Sequence, residues 1–132
     1  MKPLAALLVA AAVAAGCRDD QGPVSGELAV RLSAPRPADR GIQLVVVGRV
    51  RRIAASPGSA YQVFGDTSAN GDTAHVVVVA PVGSTLAAGE LARILVDDTR
   101  QVRGYRAHAV ALASSAYLPD DTSGVSLTVA RP

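Results

Sequence analysis

Few residues of this chain can do chemistry, and their spacing narrows what they can do. The only thiol, Cys17, ends the apolar run LAALLVAAAVAAGC and stands just before Arg18, Asp19 and Asp20. A thiolate is the best nucleophile the chain offers for alkylation. His75 and His108 are the only histidines. Zinc binding or general-base work would need them to converge with acids, yet each sits in a strand-like pattern between apolar residues. The doublets Asp97-Asp98 and Asp120-Asp121 offer paired carboxylates of the kind used in glycoside chemistry. Neighbours on a strand point to opposite faces, however, and each doublet is followed by a Thr in a polar loop, where Asp commonly caps turns. In DTSANGD, Asp66, Ser68, Asn70 and Gly71 stand at positions one, three, five and six of a calcium loop, with Asp72 next. Hard oxygen ligands around a Gly turn suit calcium, but Val77 occupies the twelfth position, where a bidentate Glu belongs. A hairpin turn on Asn-Gly is the simpler reading. No Gly-x-Ser-x-Gly, Gly-x-Gly-x-x-Gly or phosphate-loop pattern occurs.

Charge gives little help in choosing a partner. Lys2 is the single lysine, so without the leader twelve arginines face eleven acids. That near-balance makes no large field to draw nucleic acid or acidic substrates. The cluster Arg49, Val50, Arg51, Arg52 has no aromatics beside it for stacking bases. It reads as an edge strand whose charges discourage pairing. Nucleic acid is not an expected partner, and no cofactor is expected.

The N-terminus has the three parts of an export signal. Lys2 is the positive region, residues 4–15 are apolar, and Ala14, Ala15 and Gly16 are small. The apolar run falls short of the ~20 residues that span a bilayer. AAGC resembles the bacterial lipobox, Leu-(Ala/Ser)-(Gly/Ala)-Cys, in three of four positions, with Ala14 where Leu is commoner. The resemblance implies a diacylglycerol on Cys17, cleavage between Gly16 and Cys17, and a membrane anchor through the acylated residue. It implies a bacterial cell-envelope location. Asp directly after the Cys is the retention signal in some Gram-negative bacteria. Arg18 holds that position, so the outer membrane is the default where the host has one. A second cysteine is lacking, so lipidation would also remove an oxidation hazard in an exported chain.

What must position any site is a β domain. Residues 1–16 read as signal peptide, 17–26 as the lipidated Cys and a flexible Gly/Pro tether, and 27–131 as one domain. Period-two alternation recurs along it. ELAVRLS sets Leu28, Val30 and Leu32 against Ala29, Arg31 and Ser33. IQLVVVG reads as a strand whose middle is buried on both faces. RVRRIAAS follows, ending at SPGS. AYQVFG offers Tyr61, Val63 and Phe64 to the core. TAHVVVVAPV is the most β-like run and reads as a central strand ending at Pro81. TLAAGELARIL is the only stretch of helical composition. Gly89 interrupts it, so its second half reads as strand. YRAHAVALASS places Val110 and Leu112 on one face, and GVSLTVARP closes the chain with Val125, Leu127 and Val129 inward. Eight or nine short strands at ~10-residue spacing predict an all-β, antiparallel sandwich. Aromatics make up only 3% of the chain, so its core is built from Ala, Val and Leu.

The order of IAASPGSAYQVF, AHVVVVAPVG, STLAAGELARILV and YRAHAVALASSAYLPDDTSGVSLTV resembles the cohesin-like jelly-roll of bacterial surface proteins, across most of residues 27–130. GELARILV fits its Gly-x-Leu-x-x-Ile-x-Val pattern. That family binds partners and does no chemistry, so no catalytic residue transfers. The expectation is a non-enzymatic binding or structural module, with a protein or glycan partner on a sandwich face or its loops. The alternative is an accessory domain or small hydrolase using loop Asp residues. A pocket gathering Asp66, Asp97 and Asp120 would favour the hydrolase. An exposed apolar sheet face with a polar rim would favour the binding module.

Overall fold

In a computed structural model of the chain, residues 22–33, 35 and 38–132 are described. The leader, Gly16 and Cys17 lie outside the described residues. Strands β1 (Gly26–Ser33), β2 (Asp39–Val47), β3 (Val50–Ala54), β4 (Gln62–Thr67), β5 (Thr73–Val79), β6 (Gly89–Val96), β7 (Arg106–Ser114), β8 (Pro119–Asp120) and β9 (Ser126–Ala130) follow in order, with a 3-10 turn at Thr99–Gly104. They form two antiparallel sheets, β3-β6-β1-β9 and β4-β5-β2-β7-β8. The fold is the predicted all-β sandwich.

The alternation read in the sequence builds the core. Leu28, Val30 and Leu32 of β1 meet Ile42, Leu44 and Val46 of β2, with Val76 and Val78 of β5 and Leu91, Ile94 and Val96 of β6. Short branched side chains fill this space, and burying one such residue contributes about 1.5–3 kcal/mol. SPGS closes as a turn, the Ser59 N–H donating to the Ser56 C=O.

Three details differ from the sequence reading. Among the described residues no layer covers the outward side of β2, and Val47 is 42% exposed. The valine run is therefore apolar on both faces but buried on one. Phe64 points outward from β4 and is 58% exposed, while Tyr61 and Val63 do pack on the core. In β7 the register slips between Gln43 and Leu44, because Ala109 pairs with Leu44 and Ala111 with Gln43. Val110 is the extra residue of this bulge. It turns outward while Leu112 is buried, so the two do not share a face.

Candidate functional site

The two outward sheet faces differ in chemistry. On the four-stranded sheet, Arg93 Nε bonds Glu90 Oε1 at 2.9 Å and Nη1 bonds Glu27 Oε2 at 3.2 Å. Arg31 stands opposite Glu90 and Thr128, and Ser33 opposite Ser126. The Glu90 carboxylate at hydrogen-bond distance, and then Glu27, raise the Arg93 pKa above its ordinary value. This face is polar and cross-linked.

On the five-stranded sheet, pairing registers set three outward rows. One runs Gln62, Val79, Gly41, Ala113, and the next Phe64, Val77, Gln43, Ala111. The third runs Asp66, His75, Val45, His108. Val77 is 37% and Val110 50% exposed. An apolar field thus spans four strands, with Asp66, His75, His108 and Arg106 toward one end. The two histidines are two strands apart, so their backbones are separated by about 10 Å.

At the other end the field sinks into a cleft of ≈ 260 Å³. Its floor is made of small residues, Gly41, Ala111 and Ala113, between Val77 and Val79 on one side and Tyr117 on the other. Arg40 sits in a second slip of register, between Asp39 and Gly41, and is buried. Its Nε donates to the Ala80 C=O at 3.2 Å, its Nη1 bonds the Tyr117 hydroxyl, and its guanidinium carbon lies 4.9 Å from the ring centroid. Tyr117 adopts φ 61, the only left-handed non-glycine among the described residues. A bulky side chain is strained there, and Arg40 is the residue that contacts it.

The candidate residues from the sequence are dispersed. DTSANGD is the β4–β5 hairpin: the Ser68 N–H donates to the Thr73 C=O at 2.8 Å, and Gly71 turns with φ 75. Within it, Ser68 Oγ bonds Asn70 Oδ1 at 2.7 Å, and Asn70 Oδ1 also accepts the Asp72 N–H at 3.4 Å. Asp66 leaves the turn and stands across from His75. Asp97 pairs with Arg51 of β3. Asp98 instead caps the 3-10 turn, accepting the Arg100 N–H at 3.1 Å and Arg100 Nε at 3.0 Å. It also accepts the Val24 N–H at 3.2 Å. The Arg100 guanidinium, with these backbone donors, lowers the Asp98 pKa from 3.8 to about 2. Asp120 lies on β8 and accepts the Asp121 N–H, and Asp121 accepts the Ser123 N–H. Asp66 and Asp120 are therefore on opposite edge strands of one sheet, and Asp97 follows a strand of the other. No pocket among the described residues gathers them.

Sequence reasoning missed the apolar field, the Arg40–Tyr117 pair and the Asp98 clamp on Val24. The first left a signal: consecutive valines at 45–47 and 76–79 are apolar at both parities. The other two depend on contacts between residues far apart in sequence and left none. Comparison with protein-family models, with curated proteins and with solved structures finds no match.

Proposed function

We propose that this chain is a lipid-anchored, non-enzymatic binding module of a bacterial cell envelope, which docks a protein on the outward face of its five-stranded sheet. The observation that carries the reading is the apolar field of Phe64, Val77, Val79, Val45 and Val110, bordered by His75, His108, Asp66 and Arg106. Apolar centres with polar rims characterise protein interfaces. A glycan would be better served by flat rings side by side, whereas this field is mostly valine branches. The AAGC ending supports the anchor, with cleavage between Gly16 and Cys17 and acylation of Cys17.

The test is photo-crosslinking in intact cells, with a photoreactive residue at Val77 or, on the opposite face, at Thr128. Adducts from position 77 alone, lost when Phe64→Asp is added, are the expected result. Adducts from both positions, or from Thr128 alone, would overturn the choice of face. The same chains, extracted and weighed intact beside Cys17→Ala, should begin at Cys17 and carry acyl mass that the variant lacks.

A further inference from the structure

Along one flank β7 and β9 lie close together without pairing. Strand β8 covers β7 only at Leu112 and Ala113. The stretch 106–110 has β2 on one side and, among the described residues, no strand of its own sheet on the other. Which backbone groups are left over follows from the ladder. The Ala80 N–H donates to the Arg40 C=O, so even-numbered residues of β2 turn their backbone groups toward β5. Odd-numbered ones, Val45 and Val47, turn theirs toward His108 and Arg106 of β7. Ala107 and Ala109 therefore direct N–H and C=O away from β2, and no backbone hydrogen bond from the described residues outside the strand ladders meets them. Beside them, between β7 and β9, runs an open cleft of ≈ 440 Å³, bordered by Tyr105, Ala107, Leu127 and Val129. These four side chains are only half-buried, unlike the core at β5 and β6.

We infer that this edge accepts an extended acidic segment of another protein as an added antiparallel strand beside β7. The proposal concerns the edge of β7, which shares Arg106 and His108 with the border of the apolar face, and it stands whether or not that face docks a partner. Backbone pairing would satisfy the donors and acceptors of Ala107 and Ala109, the main source of affinity in strand addition. Inward side chains of the incoming segment would cover Ala107, Leu127 and Val129. Outward ones would stand opposite Arg106 and His108, which share the exposed face of β7. The cleft lining holds Arg106 and His108 and no acid, so Asp or Glu at those outward positions complements it. An apolar residue alternating with an acid is the pattern that fits.

The experiment uses the full chain and two blocked peptides, one alternating Glu with Val and one alternating Lys with Val. Affinities are read by fluorescence anisotropy. The Glu peptide should bind and the Lys peptide should not. Ala107→Pro removes one outward N–H and spares the bonds to β2, as proline does on edge strands. It should weaken binding about tenfold, with the far-ultraviolet spectrum unchanged. Should that variant misfold, Arg106→Glu with His108→Glu should exchange the preference in favour of the Lys peptide. Binding of neither peptide, or equal binding by a folded Ala107→Pro chain, would overturn the inference. So would a dimer that Ala107→Pro dissolves, because a second copy would then occupy the edge. If Asp19→Asn with Asp20→Asn raises affinity for the Glu peptide, the chain's own segment is the occupant and the proposal falls.

Discussion

The two flanks of the sandwich are joined differently, one by a large side chain filling the place of a missing one and the other beside a cleft. Where β3 meets β4, Gly65 lies so close to Ile53 that a Cβ on the glycine would collide with Ile53 Cδ1 and stand 3.0 Å from its Cβ. The lack of a side chain is what lets the sheets pinch together there. Where β7 meets β9 the strands also come close, yet Ala107, Leu127 and Val129 border a cleft and stay half-exposed. Both flanks use small residues, but with opposite results. A small residue seals a flank when a large one reaches into its place. It leaves a groove when nothing does.

The largest expected effect comes from breaking the filled flank. Gly65→Val should cost about 1–3 kcal/mol by overpacking, read as a lower urea midpoint at unchanged slope. Adding Ile53→Ala should recover some of the loss, and additive losses would mean the two residues do not share the space. Next is the 3-10 turn at Thr99–Gly104, which packs against β1 and β9. Asp98 has a folded pKa of about 2 against an ordinary 3.8. Its contribution is therefore present above about pH 4 and lost as pH falls through about 2. Asp98→Asn should lower the melting temperature at neutral pH and flatten the acid limb of the stability curve between those values. An unchanged acid limb would move the acid sensitivity to another carboxylate. On the flank beside the cleft, Ala107→Val should shift stability by no more than about 0.5 kcal/mol, because the groove has room for it. A loss as large as that of Gly65→Val would show the flank to be as tightly filled as the other. The smallest effect is expected at Val77→Thr on the outward face, within about 0.5 kcal/mol by thermal melting.

The strands were legible wherever one face is buried, because burial imposes alternation. Leu28, Val30 and Leu32, or Val76 and Val78, announce their face by parity alone. The Asn-Gly turn was legible for a local reason, since Gly71 takes the positive φ that such a hairpin needs. What alternation cannot report is whether a second layer covers a strand. The runs at 45–47 and 76–79 are apolar at both parities, which reads the same for a doubly buried strand and for a sticky surface. The bulge at Val110 was hidden too, because one inserted residue exchanges faces without altering composition. Asp98 looked like a turn cap and is one. Its second role, holding Val24, joins residues that no local pattern connects.

That clamp also decides how the molecule would carry mechanical load. The Thr99 N–H donates to the Val24 C=O at 2.8 Å, Val24 donates to Asp98, and Ser25 Oγ donates to the Val96 C=O at 3.3 Å. Among the described residues, a pull from the N-terminal side meets these bonds first and then β1, an interior strand between β6 and β9. Tension along β1 loads both ladders in shear, with their hydrogen bonds lying across the direction of force and resisting together. Were β1 an edge strand pulled sideways, the same bonds would break in succession, as a zipper opens.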